Sequence, residues 1–394
     1  MPWLIPIGIF LLFTILYLYR NEIEVRTIVS KNTTKKAPRI GIVSDWHRKG
    51  VPYQSRFLSK CLSDKHEVYI FAYHDYIRDE SDYGYKSLVF TKNIKPWKVI
   101  NWIKKNNLKV IFFPDRLEDP KVLDWCKANK VATVMIINYE TISKNEFDLY
   151  RKYKVLMCPV KCTQILLKKQ GFRNTRFIRW AVDDKIFQPK LSEIKMPIKF
   201  IHNAGYGGVE WRKNTYAVVK AFDMATKKNK NIKLILKSQR SLKEYPEEVK
   251  KIAEQTGFIH VIDKDLKLAD LLELYRSCHV SLLPSKWEGI GIPFIESLAL
   301  GLPVITVDAP PMNEWVRHNY NGLCAKVMSW EQRKDKQLLI KGAIVDTEDL
   351  AKLIDKLSSP DLIARLRLNA IRSTKNSKKT FTREIEKLIR CLNA

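Results

Sequence analysis

Residues 284–303, PSKWEGIGIPFIESLALGLP, decide the fold. An apolar run at 280–284 leads into the loop Glu288-Gly289-Ile290-Gly291-Ile292. A helix is expected from about Pro293, because proline is pre-organised for a first helical turn. Gly301 followed by Pro303 predicts its stop. Two glycines ahead of a helix N-terminus expose backbone N–H groups where the helix dipole is positive, an arrangement that cradles a phosphate or diphosphate. Glu288 stands before the helix and Glu296 inside its first turn, eight residues on. Carboxylates at the two sides of such a cradle would accept hydrogen bonds from hydroxyls flanking it. On spacing alone, helix capping by Glu296 with a surface Glu288 is an equal account.

Outward from this unit, short apolar runs alternate with helical stretches. Residues 39–45 (RIGIVSD), 67–73, 110–113, 132–138 (ATVMIIN), 155–160 and 177–180 read as buried strands. The alternation restarts at 198–203, 232–237, 259–262, 280–284 and 303–307. Near-continuous apolar strands with helices between them indicate parallel sheets covered on both faces. The fold class expected is α/β, with two Rossmann-like domains facing a cleft and an N-terminal transmembrane helix. The expected division is an anchor at 1–20, a flexible tether at 21–37, a first domain at 38–184, a linker at 185–197, a second domain at 198–358 and a helical tail at 359–394.

The anchor rests on residues 3–19, WLIPIGIFLLFTILYLY, which carry no charge and as a helix span about 25 Å. No Lys or Arg precedes the run and no small-residue cleavage site follows it, which disfavours a cleaved signal peptide. Arg20, Arg26, Lys31, Lys35, Lys36 and Arg39 follow it. The positive-inside rule then places the bulk of the chain on the cytoplasmic side of a membrane. The sequon Asn32-Thr33-Thr34 points the other way. Seven cysteines without a CxxC pair do not form a disulfide framework and read as reduced thiols.

The 394 residues are 45% apolar, too much for a disordered chain, and carry a net charge of +28. That field favours anionic partners, although a bias toward lysine, asparagine and isoleucine accounts for it equally well. Nucleic-acid binding would interleave aromatics with the basic residues. The lysine runs at 227–230 and 375–379 lack them, so no nucleic-acid partner is expected. Seven histidines show no HxxxH or HExxH pair, and no metal site is expected. Asp263-Lys264-Asp265 forms a DxD, which reads as a turn.

The E-x7-E spacing inside EGIGIPFIE, with GLPVITVDAPPMNEWVRHNYNGLCA downstream, resembles the signature of retaining glycosyltransferases of the GT-B fold, family 4 (group 1) type. Glu314 and Asn321-Gly322 match that family's downstream positions. The resemblance implies sugar transfer from a nucleotide-diphosphate donor to an acceptor hydroxyl, with retained anomeric configuration, no required metal and no cofactor beyond the nucleotide sugar. Carried over residue by residue, Glu296 would hold the donor ribose and Glu288 the sugar hydroxyls. The amides of Gly289, Ile290, Gly291 and Ile292 would face the diphosphate, and Lys213, with Arg212, would neutralise it.

The chain departs from the pattern at several points. His202 and Asn203 stand near the place of an arginine usual in the family, leaving neutralisation to Arg212 and Lys213 together. Lys237 replaces a frequent glycine and would reach the cleft. Asn138-Tyr139-Glu140 replaces a histidine beside the reacting sugar. Asn138 would keep a hydrogen bond there, and Glu140 would serve for proton exchange. His47 and Arg48 occupy the acceptor-side loop, and Pro310-Pro311 replaces a Gly-Gly before Glu314. The partners expected are a nucleotide sugar, a glycan or glycolipid acceptor, and a membrane reached through the N-terminal helix and basic surface. The rival reading is a membrane-tethered, non-catalytic binder of anionic polymer or glycan.

Overall fold

The computed structural model describes residues 22–26, 37–46, 50–76, 85–91, 94–117, 119–191, 193–205, 212–335 and 337–393. Eight strands form the first sheet: β1 Glu22–Arg26, β2 Ile40–Trp46, β3 Val68–Tyr76, β4 Ser87–Thr91, β5 Val110–Phe113, β6 Ala132–Ile136, β7 Val155–Cys158 and β8 Thr175–Phe177. Their order is β1-β4-β3-β2-β5-β6-β7-β8. The second sheet holds β9 Ile198–Gly205, β10 Ile232–Ser238, β11 Ile259–Ile262, β12 Val280–Leu282, β13 Val304–Val307 and β14 Gly322–Ala325. It runs β11-β10-β9-β12-β13-β14. Among the described residues every pairing within these sheets is parallel except β1 with β4. Strands such as β5 (VIFF), β6 (ATVMI) and β13 (VITV) are buried at every residue, as a sheet with helices on both faces requires.

In each sheet the strand order reverses about one strand. β2 has β3 on one side and β5 on the other, and β9 has β10 and β12. Such switch points open crevices beyond the carboxyl ends of the strands, and in this chain the two crevices face each other. A third element, the antiparallel hairpin of β15 Val327–Glu331 and β16 Gly342–Val345, follows β14.

The expected transmembrane helix does not hold. Among the described residues no helix is long and apolar enough to cross a membrane. The anchor expected over 1–20 lies outside them, so the transmembrane helix and the membrane localisation inferred from it are not supported. The stretch 21–37, expected as a flexible tether, contributes β1, which pairs with β4 at the edge of the first sheet.

The expected tail is helical and packs against both domains. Helix Pro360–Thr374 runs under Gly301, where Ile371 closes on the backbone. Helix Ser377–Asn393 then crosses to the first domain. Its Phe381 packs between Phe57 and Trp180, at ring-centroid distances of 5.3 and 5.0 Å. Glu386 meets His66 at 3.2 Å, and Lys378 and Lys60 both pair with Asp183. All seven cysteines are free thiols, with Cys391 exposed.

Candidate active site

The loop 288–291 and the helix after it form with the local geometry that their glycines and proline predict. Gly291 caps the helix Ile292–Ala299 in the left-handed region, at φ 85 and ψ 41, and Pro293 sits in the first turn. A side chain at Gly291 would also begin 3.0 Å from the Trp315 Nε1 atom, whose N–H donates to the Ile290 carbonyl at 2.7 Å. The N–H groups of Gly289, Ile290, Gly291 and Ile292 take no part in the hydrogen bonds found among the described residues. They remain available for an anion at the positive end of the helix.

Opposite this cradle lies the stretch after β6. The Tyr139 N–H donates to the Gly289 carbonyl at 3.0 Å, joining the two domains through backbone alone. The approach is so close that a Cβ on Gly289 would lie 2.9 Å from Glu140 Oε1 and 3.2 Å from Asn138 Cβ. A side chain at Gly289 would have to displace the end of Glu140 and press on Asn138.

The charges are arranged between these walls. Glu288 is buried and accepts from the Lys213 ammonium and, at 2.7 Å, from the Ser285 hydroxyl. Arg212 reaches Glu288 at 3.7 Å and donates to both Glu140 oxygens at 3.2 and 3.0 Å. Burial by itself would raise the Glu288 carboxyl, but Lys213 and Arg212 beside it outweigh burial and hold it below the usual range. Asn138 accepts at 3.3 Å from Gln54, which fixes the orientation of its amide. The open cleft has a volume of about 430 Å³, and its lining includes Asn138, Glu140, Asn203, Arg212, Lys213, Glu288, residues 289–293 and Glu296. That is within the usual range of roughly 300–1,000 Å³ for a small-molecule site.

Glu296 lies deeper. Burial drives its carboxyl up to about 7, only partly offset by the Tyr53 hydroxyl from the first domain and by Lys213. The folded state therefore holds this proton more tightly than the unfolded chain, whose carboxyl titrates near 4.5. Stability from this group falls as pH rises from about 4.5 to about 7, by about 3 kcal/mol in the limit. Glu296→Gln, which keeps the neutral form, is expected to flatten that slope and to be the more stable protein at pH 8. Urea unfolding of both proteins at pH 5 and pH 8 measures it, and identical pH dependence would refute the assignment.

Residues 204–355 match the family model described as Glycosyl transferases group 1. The second domain is a group 1 glycosyltransferase domain. An uncharacterized glycosyltransferase of Methanocaldococcus jannaschii is 27% identical over 119 residues, 30% of each chain, so this chain matches well under two thirds of that relative's length. Among solved structures, a glycosyltransferase from Rickettsia africae superposes with a TM-score of 0.68 at 15% identity, over 91% of this chain and 99% of that one. Anabaena HepE, solved in complex with UDP and glucose, gives 0.68 at 13% identity, over 90% and 100%. At these identities the likeness is one of fold, the two-domain GT-B architecture.

The group 1 domain supplies most of the cleft. Of the residues singled out in the sequence, Glu288, Lys213, Arg212, Asn138, Glu296, Asn203, Glu140 and residues 289–292 come together in it. His47 and Arg48 lie outside the described residues. Lys237 does not line the cleft, because its ammonium is turned to the carbonyls of Ser238 at 2.6 Å and Lys264 at 2.7 Å. His202 is buried between the Leu282 carbonyl and the Thr215 hydroxyl, a packing role. Asp263 accepts from the Leu242 N–H and Asp265 from Gln239, so the DxD ties two loops together. Glu314 accepts from the N–H groups of Lys161 and Cys162 at 2.7 and 2.6 Å. It thereby caps a helix of the first domain.

Three contributors carry no signal in the sequence. Tyr53 and Gln54 sit on the amphipathic helix Val51–Leu62, whose pattern gives no sign of which polar residue faces a cleft. Arg333 belongs to the polar stretch EQRKDK, which reads as solvated loop. In the fold its guanidinium donates to the Glu140 carbonyl and lies 4.6 Å over the Trp287 ring. Around it the hairpin loop is stitched to the first domain by Lys144 N–H to Gln337 and Leu339 N–H to Ile142.

Proposed function

We propose that the chain transfers a sugar from a nucleotide-diphosphate donor to a hydroxyl of a glycan or lipid-linked glycan acceptor, with retention of anomeric configuration. The observation that carries this is the convergence of Lys213, Arg212 and four available backbone N–H groups on one end of a cleft whose other polar groups are carboxylates and amides. The donor diphosphate lies against the N-terminus of helix Ile292–Ala299. Glu288 and Asn138 take sugar hydroxyls, and Glu296 takes the ribose.

In the transfer, the bond from the anomeric carbon to the phosphate oxygen breaks, and its electron pair leaves on the phosphate. Lys213, Arg212 and the helix terminus stabilise the charge that develops there. The acceptor oxygen bonds to the anomeric carbon on the face the phosphate leaves, and its proton passes to the departing phosphate oxygen. Electrostatic stabilisation of this kind is worth roughly 10²–10³-fold in rate per donor removed. HepE was solved with UDP and glucose, which makes UDP-sugars the first donors to test.

The experiment is nucleotide release by the full chain against a panel of UDP-, GDP- and ADP-sugars, with Lys213→Ala and Arg212→Ala beside it. One nucleotide class is expected to turn over, and each variant to lose about 10²-fold or more. Nuclear magnetic resonance of the product reads the anomeric configuration. Neither turnover nor a rise in melting temperature with any donor would favour a non-catalytic binder. Turnover that survives both substitutions would move the site elsewhere.

A further inference from the structure

A second cavity, of about 710 Å³, opens at the edge of the first sheet away from the cleft. It lies where helices Lys121–Ala128, Phe147–Lys152 and Lys161–Lys169 end and where β6 and β7 begin. Leu392, near the end of the crossing helix, closes one side. Its wall carries Lys127, Lys130, Arg151, Lys152, Lys154 and Arg173 and no carboxylate, in a chain with 42 acidic to 70 basic residues.

Half of these cations have local partners. Lys127, Arg151 and Lys152 fall in last helical turns, where a cation offsets the negative end of the dipole. Arg151 also pairs with Asp148 at 2.9 Å, and Lys152 with Asp124 at 2.6 Å. Lys130, Lys154 and Arg173 differ. They stand beyond the helix ends in three separate loops, and no ion pair to them is found among the described residues. Lys130 even adopts φ 56, a left-handed turn that glycine or asparagine takes more readily. Three unpaired like charges around one concavity repel one another, and an anion seated between them would relieve that repulsion.

We propose that this cavity is a binding site for a small multivalent anion carrying two or more phosphate groups, separate from the donor cleft. Its volume suits a discrete ligand, its concavity suits one molecule better than a flat surface, and Arg173 offers the planar fork that grips phosphate oxygens in pairs. The proposal does not depend on the transfer activity.

The probe is inorganic tripolyphosphate, titrated by calorimetry into the full chain and two triple variants. Lys130→Ala/Lys154→Ala/Arg173→Ala removes the loop cations. Lys228→Ala/Lys233→Ala/Lys352→Ala removes three exposed charges on the second domain and so lowers the net charge equally. The first variant is expected to lose at least tenfold in affinity at this site while the second stays within twofold of the parent chain. Equal weakening of both would reduce the effect to the general basic field and overturn the proposal. So would unchanged affinity of the first variant. Binding to vesicles of acidic phospholipid that the first variant loses, with tripolyphosphate binding unaltered, would assign the surface to a bilayer and overturn the small-ligand reading.

Discussion

Replacing Glu288 by alanine is expected to destabilise the protein by about 3–5 kcal/mol and to abolish donor turnover. The stability loss follows from burial. Lys213 is almost fully buried, at 4% exposure, and its ammonium is paired with Glu288. Truncating the carboxylate leaves a cation in a medium that cannot solvate it. Arg212 is less affected, because Glu140 still holds it through two contacts. The double variant Lys213→Met/Glu288→Leu removes both charges and fills their volume, so it should recover most of the lost stability. Its donor turnover should remain lost, because the cation proposed to stabilise the leaving diphosphate is gone. Chemical denaturation and nucleotide release on the single and double variants separate the two effects. A double variant no more stable than Glu288→Ala would show that the pair is not the source of the loss. A double variant that still turns over donor would remove Lys213 from the proposed mechanism.

Gly291→Val carries the second large effect. Valine at φ 85 is strained by about 1–2 kcal/mol, and its Cβ would start 3.0 Å from the Trp315 ring nitrogen. Overpacking of this kind costs about 1–3 kcal/mol. The helix start can relieve the strain only by turning the amides of residues 289–292 away from the cleft. The expected result is a fall of about 3 kcal/mol in unfolding free energy, with a rise of at least tenfold in KM for whichever donor the panel turns over. Gly291→Asn, which tolerates left-handed backbone, should lose less on both counts. Equal donor KM for the parent and Gly291→Val would mean that the cradle does not hold the donor.

Both predictions rest on a stretch whose geometry is legible in its own residues, and the reason is local. Pro293 fixes its own φ, and Gly291 and Gly301 take the left-handed angles that other residues avoid, so the loop, the helix start and the helix stop follow from a few consecutive residues. The two parallel sheets are legible for a similar reason, because unbroken apolar runs such as 110–113 and 304–307 are buried on both faces. β1 is not legible, since EIEVR is a short, largely charged stretch that pairs with a single strand at the sheet edge. Neither is the hairpin of β15 and β16, whose polar tip takes backbone partners at Ile142 and Lys144 of the other domain while Arg333 rests on Trp287 of its own.

By itself the sequence determined the α/β class, the parallel βα units and the pairing of Glu288 and Glu296 about a glycine loop. Tertiary structure decided which polar groups face one another. Arg212 meets Glu140 across 72 residues, Arg333 reaches the Glu140 carbonyl across 193, and His66 finds Glu386 across 320. It also turned Lys237 inward and gave Glu314 to a helix of the first domain. Backbone preference acts over a few bonds and is written in neighbouring residues, whereas a charged side chain takes whichever partner the packing of distant elements brings within reach.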